Sequence, residues 1–220
     1  MCGHDVVEQR MNIFKALAGC YFPPDERLRE NVVLLEENIR DQLPELEASV
    51  RALRESLPKS LPQPLTEEQN TWAALVKDHA RLFLGPFEVL APPHGSFYFN
   101  RDKMVLDQST EDVARRYQEA GLTAGAELSG LPDHVTAELE FMYFLLFSEL
   151  AARDREDETE GDTWTAMRRD FFRRHVGDWG PAFAGLVQEH AQEDFYRLLG
   201  SVTKAVLTRE VHELGRAGPD

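Results

Sequence analysis

Asp133, His134 and Glu138 are the side chains in this chain best placed to do chemistry. They fall in residues 131–146, LPDHVTAELEFMYFLL, where Pro132 opens a long amphipathic helix and Glu138 lies one turn behind the histidine. Proline is tolerated in a first helical turn, and an aspartate there meets unpaired backbone N–H groups and the positive end of the helix dipole. Held in this way, Asp133 can still point an oxygen outward. His134 has two ring nitrogens and can donate to a peptide carbonyl or accept from a donor, and Glu138 is near enough to orient it. The same groups also suit a plain helix-start cap in which they satisfy only one another. The residues alone leave both readings open.

Other chemistry finds little support. No GxSxG elbow, Walker loop, Rossmann glycine fingerprint or HExxH occurs, so no phosphate cradle or cofactor is expected. The seven histidines, at 4, 79, 94, 134, 175, 190 and 212, are widely spaced. His134 with Glu138 offers at most two metal ligands, one short of a catalytic zinc set. A small metal-dependent hydrolase using His134 would need a third ligand or a nucleophile brought in by the fold. Cys2 and Cys20 form no CxxC and no disulfide scaffold, and Cys20 follows an apolar helical pattern that marks it as a packing residue.

These groups must be positioned by helices. Behind the polar mouth, Val135, Leu139, Met142, Leu146 and Leu150 recur at helical spacing as a core-facing stripe. Helices are also expected over 9–20, from Asp25 through Ile39, over 45–57, 67–84, 110–120, 164–175 and 181–189, and from about 191 to 214. Thr66 and Gln69 fit the capping box of the fourth, on which Trp72, Leu75, Val76, His79 and Phe83 mark one face. Pro58, Pro62 and Pro64 predict a loop, Gly85-Pro86 a helix stop, and residues 91–96, APPHGS, an irregular segment leading to Phe97-Tyr98-Phe99. Val105-Leu106 suits a short extended piece. The acidic run 154–162, DREDETEGD, reads as a solvated loop, and Gly200 as a point of close packing or a kink. No strand alternation and no repeat appears. The fold class is therefore all-α, a single globular multi-helix domain of roughly eight to eleven helices over 1–220.

Twenty-four basic against thirty-nine acidic side chains give a formal net charge of −15. That balance argues against a nucleic-acid or anionic-membrane binder and favours cationic partners. No run reaches the roughly 18 apolar residues of a membrane span, and no signal segment opens the chain, so a soluble cytoplasmic protein is expected.

Several motifs taken together are similar to those of one family. They are residues 14–24, FKALAGCYFPP; 81–86, RLFLGP; 91–98, APPHGSFY; Pro132-Asp133-His134 with Glu138, Leu139, Phe141 and Met142; and Phe172, His175, Trp179 and Phe183. In this order they resemble the TorD/DmsD family of cytoplasmic chaperones for molybdenum oxidoreductases, the redox enzyme maturation proteins. The resemblance implies an all-helical fold with a larger C-terminal part joined to an N-terminal part near the proline-rich loop 86–96. It implies partners too: the apo catalytic subunit of a molybdopterin oxidoreductase and its twin-arginine signal peptide, recognised around Pro132, Asp133, His134 and Glu138. Such a peptide carries an apolar segment, so a concave apolar surface should adjoin those groups, with Tyr21, Phe22, Trp72, Phe97 and Tyr98 as candidate lining. Each of these aromatics is equally suited to the core. His94 stands where family members often carry an aromatic. Asp133, with Glu138, would favour the arginines of the peptide, which predicts a partly exposed site. The rival client is a non-exported, nitrate-reductase-like subunit. Both a monomer and a domain-swapped homodimer are compatible with this reading.

Overall fold

A computed structural model describes residues 3–58, 67–85, 88–99, 108–122 and 131–216. Among them the chain is all-α, with ten α-helices: α1 (Gly3–Cys20), α2 (Leu28–Gln42), α3 (Glu47–Glu55), α4 (Glu67–His79), α5 (Gly95–Phe99), α6 (Gln108–Glu119), α7 (Val135–Asp154), α8 (Glu158–Arg174), α9 (Val176–His190) and α10 (Asp194–Arg216). A 3-10 turn, Pro44–Leu46, precedes α3, and a π-helical turn, Ala80–Leu84, closes α4. The only β-type pairing among the described residues is a single bridge between His94 and His134. No described helix is long and apolar enough to cross a membrane. The Thr66 cap, Pro62, Pro64, Pro86, Val105-Leu106 and Cys2 lie outside the described residues, as does the side chain of Gln69.

Helix α7 is the axis. Its expected stripe is fully engaged, with Val135, Leu139, Met142, Leu146 and Leu150 all buried, but Phe141, Leu145 and Ala152 on other faces are buried as well. A helix apolar nearly all round must be covered all round, and α1, α8 and α9 pack on it. Helix α10 lies along α9, and α2 and α3 complete the side beyond α1 and α10. The buried apolar side chains form one cluster running from Ile13 to Leu214. Cys20 is wholly buried in it, its thiol pushed up to about 12 by burial. Arg168 on α8 crosses the interior between Glu149 of α7 and Glu210 of α10, 3.1 Å from each, and Arg10 of α1 also reaches Glu210.

Three sequence expectations are corrected. The acidic run is not a loop throughout: only 155–157 lies outside helices, and α8 begins at Glu158. Asp157 caps it by accepting from the Glu160 N–H at 3.0 Å, and Glu158 and Glu160 sit where the helix dipole favours negative charge. Helix α9 begins at Val176 rather than Pro181, carrying the proline inside it. Its glycines serve packing: a Cβ on Gly177 would lie 2.4 Å from the Phe172 carbonyl, and one on Gly180 2.6 Å from Leu207. Val76 does not share the buried face of Leu75, His79 and Phe83; it is 44% exposed. Gly200 does mark a close approach, its notional Cβ 2.7 Å from the Ala184 carbonyl of α9.

Candidate functional site

The His94–His134 bridge brings the proline-rich segment onto the mouth of α7. The Gly95 N–H donates to the Asp133 carbonyl at 2.9 Å and the Val135 N–H to the Pro93 carbonyl at 2.8 Å. Two prolines in a row hold residues 92–93 extended for this pairing. The Tyr117 hydroxyl, from α6, then locks the turn by donating to the Pro132 carbonyl at 2.8 Å.

Within this junction the three polar residues do different work from the one expected. Pro132 and Asp133 lie in the turn before α7, and His134 is its N-cap. Asp133 is only 1% exposed, and instead of serving α7 it accepts from the Ser96 N–H at 2.9 Å, at the start of α5. Its other oxygen lies 3.6 Å from His94 Nδ1. Burial would raise its pKa, but the His94 ring and Ser96 outweigh that and hold it down at about 2. The side chain is an anion facing inward. His134 Nδ1 accepts from the Thr136 N–H at 3.3 Å and lies 2.7 Å from the Thr136 hydroxyl. Burial, with the His94 ring 5.0 Å away adding to it and Asp133 opposing, pulls its pKa down to about 4.

Glu138 does not orient His134. It is fully buried and accepts from the Trp179 indole N–H at 3.0 Å. Burial drives its pKa well above the ordinary carboxylate value, against the opposing pull of Trp179. Gly95 lies directly on this pair: a Cβ there would be 2.9 Å from the indole nitrogen and 3.2 Å from Glu138 Oε1. Tyr98 stacks on Trp179 at 5.3 Å and donates its hydroxyl to the Pro92 carbonyl at 2.9 Å. The expectation of a partly exposed acidic pair is thus overturned for Asp133 and Glu138. Both are inaccessible to a guanidinium, because the surrounding chain buries them almost completely.

The concave apolar surface lies on the other side of His134. A cleft of about 190 Å³ is lined by Tyr21, Phe22, Pro23, His79, Phe83, Leu84, Pro93, His134 and Val135. Tyr21 is a buried floor residue, its hydroxyl donating to Thr203 at 2.9 Å, while Phe22 and Leu84 are exposed on the rim at 39% and 66%. The π-helical turn and Gly85, at φ +50°, end α4 here. Buried Asp78 anchors this wall by accepting from the N–H groups of Gln192 and Glu193. His79 is neutral because it is buried, and its Nε2 meets the Tyr21 carbonyl at 3.2 Å.

Of the candidate residues, Tyr21, Phe22 and His134 meet in the cleft, and Pro132, Asp133, Glu138, His94 and Tyr98 form the junction behind it. Trp72 and Tyr98 are half-buried against the core, and Phe97 contacts Tyr98 at 5.3 Å; none of the three lines the cleft. Sequence reasoning misses Leu84 and Pro93 as lining, although the helix stop at Gly85 and the double proline are the signals that mark them. Trp179 and Phe183, which belong to the family-like motif, are buried.

A family model described as "Nitrate reductase delta subunit" matches residues 40–185. The chain belongs to this family, that of the TorD/DmsD redox-enzyme-maturation chaperones. Among its members, the "Tat proofreading chaperone DmsD" of Salmonella typhi is 27% identical over 146 residues, 62% of this chain and 65% of that protein. The match therefore spans just under two thirds of that relative's length. The "Chaperone protein TorD" of Photobacterium profundum is 26% identical over 163 residues, 74% of this chain and 71% of its own. The "Perchlorate reductase assembly chaperone protein" of Dechloromonas aromatica is 27% identical over 146 residues, 63% of this chain and 62% of its own.

Proposed function

We propose that this TorD/DmsD-family member is a client-specific chaperone of a molybdopterin-containing oxidoreductase subunit. It would bind the apo catalytic subunit through its twin-arginine signal peptide in the cytoplasm and hold it for cofactor insertion before export. The observation that carries this reading is the apolar cleft beside His134. It is rimmed by exposed Phe22 and Leu84 and backed by a junction in which Asp133 and Glu138 are buried. Exposed apolar side chains around a concavity are the usual mark of a binding groove. The mechanism is occupancy. The hydrophobic stretch of the leader fills the cleft, and the net charge of −15 attracts its arginines from the surroundings, a steering term that weakens with salt.

The test is calorimetric titration of the full chain with leader peptides from the oxidoreductase subunits encoded beside its gene, repeated with Leu84→Asp. Leu84 is exposed enough for this variant to fold. Micromolar binding to one leader, weakened about tenfold by the variant (about 1.4 kcal/mol), is the expected result. Absence of binding to every leader at low salt would overturn the export reading. The second reading, a chaperone for a non-exported nitrate-reductase-like subunit, is favoured by the description of the matching family model, and would then be tested by co-purification with that subunit. A metal-dependent hydrolase built on His134 gains no support, since among the described residues no three His, Cys, Asp or Glu side chains gather to hold an ion.

A further inference from the structure

The chemistry that the cleft selects can be read from one proton. The Thr136 backbone N–H, 3.3 Å from His134 Nδ1, can only donate, so Nδ1 carries the lone pair. The Thr136 hydroxyl, 2.7 Å away, donates to the same atom. A neutral imidazole with Nδ1 as acceptor carries its proton on Nε2. That nitrogen bonds nothing among the described residues and is not among the enclosed, unpartnered atoms. Two other polar atoms of the lining are committed elsewhere: His79 Nε2 to the Tyr21 carbonyl and the Tyr21 hydroxyl to Thr203. Neutrality at pH 7 follows from the setting, with burial and the His94 ring lowering the value to about 4 and Asp133 opposing them. The cleft, about 190 Å³, is a little larger than the roughly 150 Å³ cavity that holds a benzene.

We infer that the cleft takes one large apolar side chain of an extended peptide segment, whose backbone carbonyl accepts the Nε2–H of His134, and that arginine side chains are kept out of it. An extended segment suits this role because its carbonyls are free of the intrahelical N–H partner that a carbonyl inside a helix already has. A guanidinium has donors only, so it would meet the Nε2–H donor to donor, and the nearby carboxylates of Asp133 and Glu138 are sealed from it. This inference rests on the peptide-client reading above and specifies which part of the peptide His134 reads.

The deciding variant is His134→Asn. Asparagine is a preferred N-cap and keeps an oxygen for the Thr136 N–H, but has no group in the place of Nε2–H. In the full chain it should keep the melting midpoint and weaken a leader peptide about two- to tenfold. The same factor should hold for that peptide with both arginines replaced by glutamine. A loss confined to the arginine-bearing peptide, or no loss, overturns the inference. A second arm needs no leader. Imidazole 15N spectra of the free protein at pH 7 should show His134 neutral with its proton on Nε2. That N–H resonance should shift with N-acetyl-leucine methylamide and stay put with isopentylamine, which has the same side chain and no carbonyl. A proton on Nδ1, an imidazolium, or equal responses to the two probes overturns it. If every leader fails while this arm succeeds, the client reading falls and the carbonyl-binding cleft stands.

Discussion

His175 sits at the junction of α8 and α9, 3% exposed, its ring 4.8 Å from that of Phe171. Burial, reinforced by the charge of Arg116, pulls its pKa from 6.5 to about 4. The charges of Asp170 and Asp133 pull the other way, and the Asp112 carboxylate, 3.0 Å from Nε2, is already shared with Arg115 and Arg116. A histidine depressed on folding contributes stability that is present above its unfolded value and lost as pH falls through the window from 6.5 to 4. A shift of about 2.5 units corresponds to about 3.4 kcal/mol once pH is below both values. By pH 5, roughly 2 kcal/mol should be gone. Replacing His175 with glutamine removes the titration while offering a neutral group to Asp112. Urea unfolding of both proteins at pH 7.5 and 5.0 separates this from any packing penalty, which shifts both pH values equally. The wild type should lose about 2 kcal/mol more than His175→Gln between the two. Parallel losses would refute the depressed value. A wild type that gains on the variant in acid would mean that the Asp112 ion pair governs the ring instead.

Three further outcomes follow from the same geometry. Gly95→Ala places a methyl 2.9 Å from the Trp179 indole nitrogen, and Trp179 is pinned by Tyr98 and Glu138. It should cost about 1–3 kcal/mol in chemical denaturation; a neutral effect would mean that the α5 junction is loose. Glu138→Gln keeps an oxygen for the indole N–H and abolishes ionisation. Because the native carboxyl holds its proton above the 4.5 at which the unfolded chain loses it, the wild type should lose stability relative to the variant as pH rises from 5 to 8, followed by thermal melts. Arg168→Ala strands Glu149 and Glu210 inside the bundle, and should cost about 3–5 kcal/mol by urea unfolding, whereas Arg168→Met with both glutamates replaced by glutamine should recover much of it.

The helical stripe of α7, the helix stop at Gly85 and the packing role of Cys20 are legible in the chain because each depends on near neighbours and on the period of a helix. Helix α2 starts at Leu28 rather than Asp25, whose carboxylate accepts from the Arg27 N–H at 2.9 Å in the turn before it. The start of α9 is not legible. Gly177, Gly180 and Pro181 carry the local signature of a loop, and only the close approach of Phe172 at the end of α8 and of Leu207 on α10 shows why glycine is needed inside a helix.

The site divides in the same way. Residue types and order alone determine that a polar cluster stands at the head of a buried helix and that the charge favours a cationic partner, while the family resemblance implies that an apolar concavity should adjoin the cluster. Tertiary structure alone decides which groups face that partner. Whether a carboxylate points outward or inward depends on what crosses over it, and here residues 93–96 pair with the turn before α7 and enclose Asp133, while α9 brings Trp179 onto Glu138. The acids are thereby turned into scaffold, and His134, held by Thr136 on one nitrogen, is left with its other nitrogen free. Spacing along a chain sets what a helix face contains, but desolvation and hydrogen bonding by segments far away in sequence set the charge and the direction of each group on it.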